Sequence, residues 1–267
     1  MAWLTDFTGP ASETYAGYAW EYLRRNEDYC KAFDGFDVSE VAEPTHLPGA
    51  TYRHEQARDR VAHKWHLECF EAPMNAGLDA SIIWRQEAFP GSLFAIFHAK
   101  GEEPAGSGTY NFHDLACEKQ HFIKTDGTRI SVLKSSKYWL QISGKPCDPE
   151  SEEEAFSIMI SGTKGARRRI DALRQLTSLA RSGNEGFTLN GRRKAFLKMR
   201  NGLKAYDIKQ AGGSYKDVAV ALFGTSYVAM NWGPDGGFLK QRAVRACRFG
   251  ERMVAQDYRD LLPKKTI

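Results

Sequence analysis

The chain has 267 residues, 42% hydrophobic and 26% charged, which is ordinary for a globular protein and enough for one large core or two smaller ones. No apolar run approaches the ~20 residues of a membrane helix, the N-terminus lacks the basic start and apolar stretch of a secretory signal, and the five cysteines (Cys30, Cys69, Cys117, Cys147, Cys247) are scattered, odd in number and never spaced Cys-x-x-Cys. These features argue against a membrane protein, a disulfide framework and a zinc ribbon, and a cytoplasmic location is expected. The net charge of +4 is unevenly divided: residues 1–150 carry 15 Lys+Arg against 22 Asp+Glu, a net of −7, whereas residues 151–267 carry 22 against 11, a net of +11. A basic second half beside an acidic first half points to a part that faces nucleic acid and another with a different task.

In chain order, Tyr15 to Phe33 reads as a helix with Tyr18, Tyr22, Arg25 and Tyr29 at helical steps and Trp20 and Leu23 beside them. Such rings are more often core than docking surface. Residues 34–50, with Gly35, Pro44, Pro48 and Gly49, read as a connector, and Arg53 to Phe70 as a second helix broken by Pro73 to Gly77. From Ser81 the pattern becomes β-rich. Ser81–Trp84 and Ser92–Phe97 are short runs separated by Pro90-Gly91, and Arg129–Leu133 with Tyr138–Ile142 forms a hairpin over the loop 134–137. Thr125 to Thr128 is a turn, and Gly101 to Gly108 a loop with little to pack. A small antiparallel sheet over 81–145 is expected. Residues 144–155, with two prolines and Glu152-Glu153-Glu154, form the best boundary. Beyond a short apolar run, Phe156 to Ile160, one helix follows Thr163 to about Ala180, and another runs from Thr188 or Asn190 to about Gln210.

The stretch from Gly213 to Asp257 organises the rest. Ser214 and Asp217 have the spacing of a reciprocal cap, Val218, Ala219 and Leu222 share one face of the helix it opens, and Gly224 supplies a stop. A Trp/Gly/Pro turn leads to a basic helix from about Phe238 to Gln256. At about 100° per residue, Leu239, Ala243, Ala246, Gly250, Met253 and Val254 fall on one side and Arg242, Arg245, Arg248 and Arg252 on the other. A capped helix, a turn and a second, cationic helix make a helix-turn-helix whose second member suits a DNA major groove. The candidate DNA-binding residues are Lys240, Gln241, Arg242, Arg245, Arg248 and Arg252, with Arg192, Arg193 and Lys194 as backbone contacts. The alternative is an ordinary solvated amphipathic helix.

Other constellations carry less. His63, His66 and Cys69 stand at i, i+3 and i+6, and the outer two diverge by about 120° on a helix, so no metal site is expected. Ser161 to Gly165 resembles a phosphate loop in composition only: Lys164 precedes Gly165 and no hydroxyl follows it. Its helix N-terminus, with Arg167-Arg168-Arg169 beside it, still offers N–H groups to a DNA phosphate. No nucleophile elbow, zinc-protease motif or carboxylate pair appears, so neither an enzyme nor a cofactor is expected. The whole reads as α+β: an N-terminal helical segment over 10–75, a small β-rich unit over 76–148 and a C-terminal helical domain with the helix-turn-helix over 156–263.

Two stretches carry a family resemblance. Tyr18-Ala19-Trp20-Glu21-Tyr22-Leu23-Arg24-Arg25-Asn26 with Tyr29 resembles the short transcriptional regulator-like domain of proteobacterial proteins. Ser214-Tyr215 through Val218-Ala219 and Leu222-Phe223-Gly224, then Trp232, the arginine helix and Tyr258-Arg259-Asp260-Leu261-Leu262, resembles a helix-turn-helix variant of regulators of integrative and conjugative elements. Together they are similar to the excision activator of such elements. The resemblance implies a DNA-binding activator of an excisionase promoter, with double-stranded DNA as partner and a small antiactivator protein able to bind it. The acidic first half would then meet RNA polymerase or a regulator. The same family includes members that bind protein and not DNA, which leaves an antiactivator-like binding module as the alternative.

Overall fold

The computed structural model describes residues 14–36, 45–47, 50–99, 101–103, 108–134, 138–151, 154–163, 165–182, 193–233 and 237–263. Their centre is a mixed sheet of eight strands: β1 (Thr45–Leu47), β2 (Ala50–His54), β3 (Leu93–His98), β4 (Tyr110–Asn111), β5 (Glu118–Ile123), β6 (Arg129–Lys134), β7 (Trp139–Gly144) and β8 (Ala155–Met159). Their order is β1-β2-β5-β6-β7-β3-β8-β4. The expectation of a small antiparallel sheet over 81–145 is therefore corrected. The expected hairpin is present as β6 and β7, and Gly127, at φ +82°, makes the turn between β5 and β6. However, β2 joins β5 in parallel and β3 joins β7 in parallel, while β8 closes on β3 from beyond the expected boundary.

The reading of Arg53–Phe70 as one helix fails for a related reason. Arg53 and His54 end β2, whose Ala50 and Tyr52 point inward. The chain then turns into a 3-10 segment, Ala57–Trp65, opened by a reciprocal cap between Gln56 and Asp59 and ended by His66 at φ +65°. Of the run 81–84, only Trp84 pairs, as an isolated bridge to Leu67.

The central strands are buried on both faces. Phe122, Ile130, Val132 and Trp139 face one core, and Leu133, Leu140 and Ile142 the other, as the two-residue period of a strand requires. The second core is closed by α3 (Ala166–Ser182), through Leu176 and Leu179. The first is closed by the N-terminal helices. The expected helix 15–33 is two: α1 (Tyr15–Leu23) capped by Thr14, and α2 (Glu27–Asp34) capped by Asn26, whose side-chain oxygen accepts from the Tyr29 amide at 3.0 Å. The aromatic face of α1 is core. Tyr18, Trp20 and Tyr22 are buried, and the Trp20 indole donates to the Asn75 carbonyl at 3.0 Å.

That same core reaches into the C-terminal helices α4 (Arg193–Gln210) and α7 (Gly237–Ala255) and the 3-10 segment Asp257–Leu261. Tyr22 donates to the Met199 carbonyl at 2.8 Å. The Asn26 amide donates to the carbonyls of Val254 at 2.8 Å and Ala255 at 3.1 Å. Arg25 holds Asp207 of α4 bidentately, at 2.7 and 2.9 Å, and Glu21 of its own helix at 2.7 Å. Burial works against that guanidinium's charge, yet the bonds to Asp207 and the nearby Glu21 outweigh it and leave its pKa raised. Among the described residues no helix is long and apolar enough to cross a membrane.

Candidate nucleic-acid interface

The basic end of the chain is built on α4, α5 (Tyr215–Phe223), α6 (Thr225–Asn231) and α7. The cap that opens α5 has the expected form. The Ser214 hydroxyl accepts from the Asp217 amide at 3.2 Å, and the Asp217 carboxylate accepts from the Ser214 amide at 2.8 Å and its hydroxyl at 2.7 Å. These bonds hold the Asp217 carboxyl below its usual pKa. Val218 and Ala219 bury against Ala205 of α4 and against Leu239, Ala243 and Cys247 of α7. Gly224 stops α5 at φ +90°, a region open chiefly to glycine, and α6 starts on the next residue. The stretch expected to be only a turn before the arginine helix thus contains the short helix α6.

Helices α4 and α7 cross closely because both carry glycine at the contact. A side chain at Gly250 would strike the Gly202 carbonyl oxygen, and one at Gly202 would meet Phe249 at 2.6 Å and the Tyr22 hydroxyl at 2.7 Å. This crossing fixes which way α7 turns. Leu239, Ala243, Cys247, Gly250, Met253 and Val254 are buried. Gln241, Arg245, Arg248 and Arg252 lie within about 60° of one another on the opposite side, all exposed.

Those four side chains form a continuous polar stripe along about three turns. Arg252 has Asp257 at 3.9 Å, while Arg242, Arg245 and Arg248 have no carboxylate partner among the described residues. Arg242 departs from the expectation in direction. It leans off the stripe toward α5, with its guanidinium carbon 4.4 Å from the Phe223 ring centre and 5.4 Å from that of Phe238. Lys240 is exposed on the other flank. Lys194 is exposed at the start of α4, Arg193 opens that helix, and Arg192 lies outside the described residues.

The remaining constellations take other roles. Arg169 is buried and donates to the Ser161 carbonyl at 2.6 Å, so it closes the turn before α3, while Arg167 is exposed; Lys164 lies outside the described residues. His63 sits 3.7 Å from Glu68, Cys69 is buried in the aromatic core with its thiol pushed up to about 12 by burial, and no group of three potential metal ligands occurs among the described residues. A groove between α4, α5 and α7 has no counterpart among the expectations from sequence. It is lined by Lys194, Leu197, Lys198, Phe223, Arg242 and Phe249 among others. The four-residue step from Lys194 to Lys198 beside Leu197 is the signal the sequence holds for it.

Residues 146–263 match the family model described as T6SS, transcription factor, DNA binding domain, and residues 8–69 match that of a proteobacterial transcriptional regulator-like domain. No curated protein matches the chain. The two matches indicate a transcriptional regulator with a DNA-binding domain, and α3 to α7 all fall within the range 146–263.

Proposed function

We propose that the chain is a cytoplasmic, sequence-specific activator that lays α7 in the DNA major groove, with α5 and α7 as a helix-turn-helix interrupted by α6. The observation that carries this is the outward stripe of α7. A cationic helix face, turned away from the core by glycine contacts and largely without carboxylate partners among the described residues, matches the width and charge of a duplex groove. Recognition helices read bases with their N-terminal residues. Gln241 and Arg245 are accordingly assigned to base edges, Lys240 and Arg242 to the groove walls, and Arg248 and Arg252 to bases or phosphates further along. Arg192, Arg193 and Lys194, at and just before the start of α4, are assigned to the DNA backbone.

The genes controlled are proposed to be those that excise and transfer a mobile element, following the resemblance of residues 18–29 and 214–262. The match to a T6SS transcription factor domain supports T6SS promoters as a second reading. The acidic first half is left to meet RNA polymerase, and an antiactivator would act by occupying the C-terminal helices.

Selection of bound duplexes from a random pool, followed by anisotropy titration, tests the assignment. A bidentate arginine contributes ~1–3 kcal/mol of discrimination, so Arg245→Ala with Arg248→Ala should weaken the selected site by about 30-fold or more. Every phosphate that a variant no longer neutralises should reduce the slope of log K against log salt by about 0.9. Unchanged affinity in the double variant refutes the assignment. No retention of the wild-type chain on DNA at low salt favours a protein-binding module.

A further inference from the structure

The groove between α4, α5 and α7 opens beside the DNA-facing stripe and shares Arg245 with it. It has a volume of about 400 Å³, with Leu197, Leu222, Phe223, Ala246 and Phe249 as its apolar part and Lys194, Lys198, Arg242 and Arg245 as its cations. Asn201 completes the lining, which has no acidic member among the described residues. Leu197 is 51% exposed and shares this lining with Phe223 and Phe249. Two of the cations rest on the aromatic part: the Lys198 ammonium lies 4.4 Å from the Phe249 ring centre, and the Arg242 guanidinium carbon 4.4 Å from that of Phe223. Their charges are thereby held at the rim and left open to a further anion.

We infer that this groove docks an acidic, amphipathic helical segment of a protein partner. Its apolar anchors would cover Leu197, Phe223 and Phe249, and its carboxylates would meet Lys194, Lys198, Arg242 and Arg245. The volume suits two or three leucine- or phenylalanine-sized side chains, the complement that one helix face presents at i, i+3 or i+4 and i+7. Charge complementarity selects an acidic partner, because four cations gathered without an acid repel one another until an anion arrives. The apolar part selects a peptide over nucleic acid. A phosphate backbone would satisfy the lysines but leave Leu197 and the two rings in water, whereas an amphipathic helix covers both.

The groove adjoins the DNA stripe at one residue. Arg245 lines the groove and also lies on the outer stripe of α7, about 60° around the helix from Arg242. A partner seated there therefore draws Arg245 away from a duplex, together with Arg242 and Lys194, which the DNA assignment also uses, and its affinity and that of DNA are negatively coupled.

A phage-displayed library of helical peptides of 14 residues, selected on the full chain, tests this without presupposing a sequence. The expected result is enrichment of peptides rich in Asp and Glu with apolar anchors at i, i+3 or i+4 and i+7. A synthetic copy should lose at least tenfold in affinity when Leu197→Glu or Lys198→Glu is introduced, and a scrambled peptide of the same composition should bind at least tenfold more weakly. Leu197 and Lys198 are exposed, and circular dichroism of each variant checks that it is folded. Failure of any sequence to enrich, enrichment without acidic bias, equal binding of the scrambled peptide, or indifference to Leu197→Glu each overturns the inference. A duplex whose affinity falls as much as the peptide's with Leu197→Glu would make the groove a nucleic-acid surface and also overturn it. None of these outcomes depends on Arg248, so failure here is separable from failure of the DNA-binding assignment.

Discussion

Arg25→Met removes the cation that holds Asp207. The guanidinium lies between α1 and α4, with side-chain exposures of 1% for Arg25, 2% for Glu21 and 9% for Asp207. It makes two bonds to Asp207 and further bonds to the Glu21 carboxylate and carbonyl. Glu21 keeps a second cation after the change, since Arg24 donates to it at 2.8 Å. Asp207 loses both of its bonds from Arg25 and stays buried. Breaking a buried pair from one side costs about 3–5 kcal/mol, mostly as the burden of the charge left behind. At about 2–4 °C per kcal/mol for a chain of this size, Tm should fall by about 6–20 °C. Adding Asp207→Leu removes the stranded charge and should recover most of the loss. Urea denaturation of the wild type, the single and the double variant supplies the comparison. A single variant within about 1 kcal/mol of wild type, or a double variant less stable than the single, refutes the view that this pair joins the N-terminal helix to α4.

Two further outcomes are expected. Gly250→Ala adds about 1 kcal/mol of helix preference but sets a methyl group against the Gly202 carbonyl, a backbone atom that cannot rotate away. Overpacking of that kind costs about 1–3 kcal/mol, so the net effect in urea should be a loss, and a gain in stability would refute the close crossing of α4 and α7. Asp217 should titrate below 3.8, because the Ser214 hydroxyl and amide both favour its charged form. The folded pKa is depressed, so the cap's contribution is complete above the unfolded value and is lost as pH falls through the lower folded one. A carbon-detected NMR titration with its midpoint at or above 3.8 removes that argument.

What the sequence disclosed was local. The Ser214–Asp217 cap needs a three-residue spacing, the β6–β7 hairpin needs alternating side chains around a short loop, and the faces of α7 need only its period; all three are present. What it withheld depends on distant partners. Strand β5, Glu118-Lys119-Gln120-His121-Phe122-Ile123, reads as polar, yet Lys119, Gln120 and His121 are buried. The polarity of His121 is met across the sheet by the Ser131 hydroxyl at 2.8 Å, and its ring lies 4.7 Å from that of Tyr52, tilted by 30°. Parallel pairing of β2 with β5 joins residues 69 apart, which no short window registers. In the same way the direction of Arg242 follows from Phe223 on a neighbouring helix, and the groove follows from three helices meeting.

Asn26 ties the last carbonyls of α7 to a residue made 228 positions earlier. During synthesis Tyr18 and Tyr22 leave the ribosome long before α4 and α7 exist to cover them. Until then the nascent chain carries a sticky aromatic ridge with nowhere to rest, a natural target for chaperones. A chain wired this way completes its first core only once nearly all of it has been translated.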